Sequence, residues 1–358
     1  MPPPPSDIRA ASAVVSVRAA DLVEITTAAL VAAGAPEDIG RTVARISVDA
    51  DLDGRSTHGV GRIPAFIAKI RAGGLDPSAR PQIIADHGAA LVVDGRDGFG
   101  HVALADAASK VADRALQVGV AMATIRNIAN PGMLAAYGRI ITDRGCIGIL
   151  GCNAAAAMAP HGARAAFLGT NPLCVAVPVA GEGPLLLDMA STATSKAAVA
   201  RAARRGEPIP EGWATDAEGV STTDAAVALR GLLLPAAGPK GSGLALVVDI
   251  LAGLLAGAAA GPDVRGFQDP GRSGSGAFVL AVDPAAFGQA AATFLPAVAG
   301  HLAKVRALPP TDPGQRPRTP GERANRDRVR HLRTGIPMEA ELLQTLRSLA
   351  RERTAEQP

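Results

Sequence analysis

A short segment of the chain, residues 50–66, combines the residue types best suited to acid–base chemistry. His58 follows Thr57 and precedes Gly59, and Arg62 comes four residues after the histidine. An imidazole with an ordinary pKa of about 6.5 can give or take a proton near neutral pH. A guanidinium can hold a carboxylate through two parallel hydrogen bonds. The pair suits a small organic acid whose neighbouring carbon changes oxidation state, although each residue alone is more often a helix-end histidine or a solvated arginine.

Helices on both sides are expected to position this segment. Asp21 could cap a first helix over residues 22–33, and Pro36 opens a second helix with acidic residues in its first turn. Apolar residues spaced by three and four give the second helix one buried stripe, and a similar stripe runs from Val60 to Ile70. His58 would then lie at the start of a helix, where the dipole favours neutral imidazole and lowers its pKa.

The composition limits the classes of function. A length of 358 residues is enough for two packed domains, and a net charge of +3 gives no reason to expect a nucleic-acid partner. The one basic concentration, residues 304–333, is interrupted by acids and is interpreted as a solvated face. The three cysteines lie in apolar runs without CxxC spacing, which indicates buried thiols in a reducing compartment.

No targeting or metal-binding pattern is apparent. The six histidines are scattered, so no metal is predicted. Residues 1–14 begin with a proline run and are expected to form a disordered tail. No apolar run is long enough to span a bilayer; the nearest, residues 244–261, is interpreted as a buried amphipathic helix. These features predict a soluble, cytoplasmic protein that does not associate with membranes.

Residues 98–103, Gly-Phe-Gly-His-Val-Ala, nearly match the glycine fingerprint of Rossmann dinucleotide sites. They lie between an expected strand, residues 89–94, and an expected helix, residues 104–117. The following strand, residues 118–125, ends in Arg126-Asn127 and offers no carboxylate for a ribose hydroxyl. The context that would confirm a Rossmann site is therefore missing.

Later segments add polar groups at the ends of expected strands. Asp188 ends the apolar strand that starts at Leu185, where a carboxylate must orient another group or cap the helix expected over residues 194–204. Thr170 and Asn171 lie in a Gly-Thr-Asn-Pro turn. The glycines around Lys240 precede a long helix, where free backbone N–H groups could bind an anion.

Together these segments resemble the malate/L-lactate dehydrogenase family of the non-classical, non-Rossmann type. Thr57-His58-Gly59 is similar to the family's Ser-His-Gly, with threonine in place of the usual serine. Residues 125–133 resemble its Arg-Asn-Ser-x-His-Phe-Gly loop. Further similarity lies in residues 204–216, which contain the only tryptophan, in residues 222–224, and near residues 320–323 and 335–337. The matches follow the family order from about residue 15 to residue 350.

The resemblance implies an α/β fold: a non-Rossmann domain with a mixed sheet that binds the nicotinamide cofactor, residues 81–314, and a helical domain formed by the N- and C-terminal segments, residues 15–80 with 315–353. It also implies a homodimer. The cofactor would be NADH or NADPH, and the sequence does not choose between them.

The resemblance also assigns roles to residues. His58 would donate the proton as hydride arrives, oriented by Asp188 and Thr57, while Arg62 binds the carboxylate of a small substrate and Asn130 orients its carbonyl. Contacts to the cofactor would come from Gly132, Met133, Thr170, Asn171, Asp188, Lys240 and Gly241.

One departure leaves alternatives open. Asn130 stands where most members carry a histidine, and an amide cannot supply a proton. The expected reaction is interconversion of a 2-oxo acid and a 2-hydroxy acid. Reduction of a cyclic imine carboxylate to an imino acid is an alternative, and a catalytically silent dinucleotide-binding homologue is another.

Overall fold

The computed structural model describes residues 13–352. The α-helices are Ala19–Ala32 (α1), Glu37–Leu52 (α2), Ile63–Arg71 (α3), Gly100–Val118 (α4), Ala135–Thr142 (α5), Lys196–Arg205 (α6), Ala225–Ala228 (α7), Pro239–Asp249 (α8), Ala291–Arg306 (α9), Glu322–Thr334 (α10) and Ala340–Arg351 (α11). The strands are Val14–Val17 (β1), Gln82–Asp86 (β2), Ala90–Gly98 (β3), Val120–Ile128 (β4), Ile147–Cys152 (β5), Leu173–Val177 (β6), Leu185–Met189 (β7), Ala214–Thr215 (β8), Ser221–Thr222 (β9), Ser275–Val282 (β10) and Ile336–Glu339 (β11).

A seven-stranded mixed sheet forms the centre of the protein, in the order β2-β3-β4-β10-β5-β6-β7. Only β3 and β4 run parallel, joined through α4, and the other neighbouring pairs are antiparallel. Residues of α4 and α5 pack on the sheet in one large hydrophobic core. A mixed sheet in an α/β fold confirms the expected fold class.

The two ends of the chain meet in a second hydrophobic core. Strands β1 and β11 pair antiparallel, with Val14 opposite Glu339, and residues of α1, α2, α3 and α11 pack together beside them. The apolar stripe of α2 is shared between the two cores, with Ile39 and Val43 in this one and Ile46 and Ala50 in the sheet core. The division into domains at residues 80 and 315 stays a prediction.

Several expectations differ from the structure in detail. Helix α1 starts at Ala19, before Asp21, whose carboxylate pairs with Arg18 instead of capping the helix. Residues 1–12 of the expected tail lie outside the described residues, whereas Val14 already belongs to β1. The three cysteines are buried and free, as expected. No helix within residues 13–352 is long and apolar enough to cross a membrane.

The apolar helix expected to be buried is only partly so. Helix α8 continues into a π-helical turn, Ile250–Leu254, and this stretch exposes a row of large apolar side chains. Its exposed members are Leu246, Val247, Ile250, Leu254 and Leu255. We call these five residues the α8 face.

Candidate active site

The His58 segment is a tight link between two helices. After α2 the chain forms a 3-10 turn at Ser56–His58 and a second at Val60–Arg62, which leads directly into α3. The buried Asp51 carboxylate accepts a hydrogen bond from the Val60 N–H at 2.9 Å. It lies so close to Gly59 that a Cβ atom there would overlap the carboxyl group. The residue after His58 must therefore be glycine for the segment to keep this shape.

The His58 ring is partly buried and has Thr57 as its partner. Its Nδ1 lies 3.0 Å from the Thr57 hydroxyl oxygen. Burial, together with the nearby charges of Arg62 and Arg55, lowers the pKa of His58 to about 4. The direction agrees with the sequence-based expectation, but the main physical cause is desolvation rather than the helix dipole.

Two contacts, one to a backbone carbonyl and one to an aromatic ring, hold the Arg62 side chain in place. Neither contact uses its terminal nitrogens. Its Nε donates to the Thr57 carbonyl at 2.6 Å, and its guanidinium carbon lies 5.0 Å from the centre of the Phe267 ring. Within residues 13–352 its two terminal nitrogens form no hydrogen bond or ion pair. The charge lies beside His58 without a carboxylate partner, so it can accept an external anion.

Phe267 belongs to a distant loop that α3 holds in place. The buried Lys69 ammonium donates to the Asp269 carbonyl at 2.9 Å. Phe267 packs edge-on against Phe66, with ring centres 4.7 Å apart. Arg62 and Phe66, one helical turn apart, therefore share one aromatic contact.

The loop that carries Asn130 approaches the same helix. The Asn130 side-chain oxygen accepts from the Gly132 N–H at 2.9 Å, and the Tyr137 hydroxyl donates to the Pro131 carbonyl. His101, the second residue of α4, lies between this loop and α3. Its ring centre is 5.3 Å from that of Phe66, and its Nε2 faces Gly132.

Asp188 does not contact His58. Its Oδ2 accepts from the Ala135 N–H at 2.9 Å and so caps the start of α5. Burial raises its pKa, while the Ala135 N–H and the charge of Arg55 oppose that rise. An Asp188–His58 hydrogen bond is absent from the described part of the chain. The alternative of a cap on the next helix is wrong, because Ser195 caps α6 through the Ala198 N–H.

Thr170, Asn171, Lys240 and Gly241, four of the residues expected to bind the cofactor, come together in a second group. The Asn171 amide donates to the Ala245 carbonyl at 3.0 Å, which ties its loop to α8. The Thr170 carbonyl accepts from the N–H and hydroxyl of Ser191. Gly241 packs against the Ser191 carbonyl, where a Cβ would not fit.

The expected anion site of free N–H groups before α8 is wrong. The N–H groups of residues 240, 241 and 242 donate to the carbonyls of residues 237, 236 and 238. The chain can reverse so tightly because Ala237 and Gly238 have positive φ angles, 51° and 61°. Lys240 itself is exposed and, within residues 13–352, has no carboxylate partner.

A cavity adjoins the start of α8. The His161 N–H donates to the Ser242 hydroxyl oxygen at 3.0 Å, which joins the cavity wall to the helix. The lining side chains include two that can carry positive charge, His161 and Arg164; the others are Ala159, Pro160, Ala163, Thr215, Leu232, Leu233, Leu234 and Pro235.

The Rossmann-like glycines serve packing. Gly100 lies against the Ala129 carbonyl and Pro131, which occupy the space in front of α4. A pyrophosphate at that helix start would collide with this loop. The missing ribose carboxylate and this contact together argue against a dinucleotide at the fingerprint.

A buried ionic cluster behind His58 was not predicted. Asp53 is 1% exposed and accepts from Arg139 at 2.9 Å and from Arg328 at 2.7 Å. Arg328 also pairs with Asp49 at 2.8 Å. Part of the C-terminal basic run, interpreted as a solvated face, is thus an internal tie between α10, α2 and α5. The sequence alone could not reveal these pairs, because Asp53 and Arg328 are 275 positions apart.

The described residues combine a partly buried histidine with an arginine whose terminal nitrogens are unpaired, on a mixed α/β fold, and this combination is compatible with a non-Rossmann oxidoreductase. The profile of the malate/L-lactate dehydrogenase family matches residues 17–347. The chain belongs to this family.

Similar proteins support the family assignment. The (2R)-3-sulfolactate dehydrogenase (NADP(+)) of Chromohalobacter salexigens is 34% identical over 301 residues, 83% of this chain and 86% of the relative. The Delta(1)-pyrroline-2-carboxylate/Delta(1)-piperideine-2-carboxylate reductase of Pseudomonas putida is 32% identical over 343 residues, 94% and 98% of the two chains. The solved sulfolactate dehydrogenase of Methanocaldococcus jannaschii superposes with a TM-score of 0.89 at 31% identity, covering 95% of this chain and 98% of that one.

Proposed function

We propose that the protein is an NAD(P)H-dependent oxidoreductase that interconverts a 2-oxo acid and a 2-hydroxy acid by hydride transfer. The observation that carries the proposal is the guanidinium of Arg62, fixed next to His58 with its two terminal nitrogens unpaired in the described chain. A carboxylate bound there places the adjacent carbonyl beside the imidazole. The names of relatives that act on sulfolactate support this substrate class.

The electrostatics of the site couple substrate binding to proton transfer. In the free protein His58 is neutral at neutral pH because burial and two arginines lower its pKa to about 4. A substrate carboxylate on Arg62 offsets one of these charges, and the pKa of His58 rises towards its ordinary value. His58 can then hold the proton that the carbonyl oxygen takes up on reduction, while Thr57 orients the ring. The aromatic side chains of Phe66 and Phe267 keep water from this space.

Replacing His58 tests the proposal directly. A positioned general acid contributes about 10²–10⁴-fold to rate. We expect His58→Ala to lower kcat with 2-oxo acids by that factor and to leave cofactor affinity nearly unchanged. The measurement is oxidation of NADH and NADPH, followed by absorbance, over a panel of 2-oxo acids. His301→Ala, an exposed histidine on α9, is the matched control; full turnover in His58→Ala would refute the assignment.

The cyclic-imine alternative is favoured by one observation, Asn130 in the loop where a second acid would stand. Its carbonyl oxygen is used by Gly132, and its amide can donate a hydrogen bond but no acidic proton. An iminium substrate already carries its proton and needs no second acid. The Pseudomonas putida relative is a reductase named for such substrates. Higher kcat/KM for cyclic imine carboxylates than for any 2-oxo acid would establish the alternative.

The cofactor is expected between the Gly132-Met133 loop and the start of α8. The donor set fits an anionic dinucleotide, since Lys240 is exposed and unpaired in the described chain and the adjoining cavity carries His161 and Arg164. A bound nicotinamide supplies the hydride. Thr170, Asn171, Asp188 and Gly241 would shape the site through the hydrogen bonds and packing of their loops.

Lys240→Ala tests this placement. Loss of one exposed charge near a phosphate is expected to raise KM for the reduced cofactor by about tenfold, an ionic hydrogen bond being worth about 1.5–3 kcal/mol. The 2-oxo acid KM should stay within about twofold. Lys304→Ala on α9 is the control, and an unchanged cofactor KM in Lys240→Ala would place the cofactor elsewhere. Comparing KM for NADH and NADPH in wild type decides which is used.

We also propose a homodimer in the cytoplasm, with residues 15–80 and 315–353 as the helical domain and residues 81–314 as the cofactor domain. The α8 face supports self-association, because monomers rarely leave a contiguous apolar patch of this kind uncovered.

A further inference from the structure

His101 is a buried polar side chain that the mechanism above does not use. It is 1% exposed, and its Nδ1 has no hydrogen-bond partner within residues 13–352. A buried polar atom left unsatisfied costs about 1–3 kcal/mol. Within residues 13–352 this nitrogen is left without a partner, which leaves it available to a bound ligand.

The position of His101 connects it to the candidate site. Its ring meets Phe66 edge-on at 5.3 Å, and Phe66 lies one turn after Arg62 on α3. Phe267 contacts both Phe66 and Arg62, at 4.7 and 5.0 Å. Burial above all, together with the nearby Arg62 and His58, lowers the pKa of His101 to about 3. His101 thus stays neutral, with one donor and one acceptor nitrogen.

The opposite side of the ring faces the Asn130 loop. Gly132 has a φ of 76°, and a Cβ atom there would lie 2.9 Å from His101 Nε2. Glycine at this position lets the loop approach this edge of the imidazole closely, where any side chain would collide with Nε2. Asn130 in this loop offers only its amide N–H groups, since its carbonyl oxygen is bonded to the Gly132 N–H, whereas His101 can either donate or accept. In a wall otherwise made of Phe66, Phe99 and Phe267, His101 supplies the hydrogen-bonding group.

We propose that His101 is a substrate-binding residue that hydrogen-bonds the polar group which the substrate carries beyond the carboxylate held by Arg62. The inference rests on the proposed function and names the substrate class more closely: 2-oxo acids with a polar or anionic tail. A site built to hydrogen-bond a substrate group discriminates strongly against analogues that lack it.

Two variants test the proposal. His101→Leu removes both nitrogens, whereas His101→Asn keeps a polar atom near the position of Nδ1. We expect His101→Leu to lower kcat/KM for oxaloacetate and sulfopyruvate by about 10–100-fold, a charged hydrogen bond being worth about 1.5–3 kcal/mol. Pyruvate, whose tail is a methyl group, should lose less than about threefold. His101→Asn should restore most of the activity on the tail-bearing substrates.

A measurement of thermal stability shows whether the loss of activity in His101→Leu comes from weaker substrate binding or from a destabilised fold. Because His101→Leu removes an unsatisfied buried atom, its Tm should equal or exceed that of wild type. Equal losses on pyruvate and oxaloacetate, or no loss on either, would overturn the proposal.

Calorimetry can test the role of His101 without turnover, by measuring the affinities of malate and lactate for the protein saturated with oxidised cofactor. Malate should bind more weakly to His101→Leu than to wild type, with lactate unchanged, and equal malate affinity would overturn the role of His101. Absence of 2-oxo acid reduction by wild type would instead refute the proposed function.

Discussion

Asp51 is a single carboxyl group whose protonation is linked to the shape of the His58 segment. Burial raises its pKa to about 7, against an ordinary value of 3.8, and the Val60 N–H opposes the rise. Because the folded pKa is raised, the neutral form stabilises the fold at low pH. This contribution is complete below pH 3.8 and is lost as pH rises through about 7.

Asp51→Asn should remove this pH dependence. The amide keeps an acceptor for the Val60 N–H but cannot ionise, so the variant should match wild type near pH 4 and be more stable at pH 8. The expected gain at pH 8 is on the order of 4 kcal/mol, from a rise of about 3 pKa units at about 1.4 kcal/mol per unit. Urea unfolding at several pH values measures it, with Asp263→Asn, an exposed acid, as control. An equal difference between the proteins at all pH values would contradict the assignment.

Sequence reasoning located residues adjacent in the chain and missed those that the fold brings together. Thr57 and His58 meet because they are neighbours, and Arg62 follows one turn later. Phe267 lies about 200 residues away and reaches Arg62 only because Lys69 holds its loop. His101 was visible within the glycine fingerprint, but its contact with Gly132 depends on the return of β4 beside β3. Asp188 was expected to orient His58, but its carboxylate instead accepts a hydrogen bond at the start of α5.

At the level of elements, helix and strand order followed from apolar spacing, whereas their ends depended on local chemistry. The stripe of α2 predicts its buried face, which meets both cores: Ile39 and Val43 lie in the second core, and Ile46 and Ala50 in the sheet core. Its N-terminus at Pro36 was correct, while α1 begins without the expected Asp21 cap. The link between α2, α5 and α10 could not be predicted, since only the folded chain surrounds Asp53 with Arg139 and Arg328.

The cluster of Asp53, Arg139 and Arg328 predicts how strongly α2, α5 and α10 are held together. Asp53→Ala leaves two partly buried guanidinium groups without their shared acceptor, and breaking a buried pair in this way costs about 3–5 kcal/mol. We expect a loss of that size in the free energy of unfolding, measured in urea. Activity should fall as well, because Asp53 lies five residues before His58 in the same link.

The control is a surface pair of the same kind. Asp21→Ala removes the exposed Arg18–Asp21 pair and should cost less than about 1 kcal/mol. A similar small cost for Asp53→Ala would show that the buried cluster does not hold α2, α5 and α10 together.

For the whole molecule, we expect the α8 face to determine the state of assembly. Its members Leu246 and Ile250 are 47% and 43% exposed in the single chain, on a helix that is also tied to the loop of Thr170 and Asn171 through the Asn171 amide. A second copy that covers this face would both bury apolar surface, at about 25 cal/mol per Å², and stabilise α8.

The double variant Leu246→Lys, Ile250→Lys should therefore sediment as a monomer where wild type sediments as a dimer, and its cofactor KM should rise. Leu332→Lys, an exposed leucine on α10, is the matched control and should leave the dimer intact. A wild-type protein that is monomeric at micromolar concentration would mean that the α8 face serves another purpose, and its activity would then have to be complete within one chain.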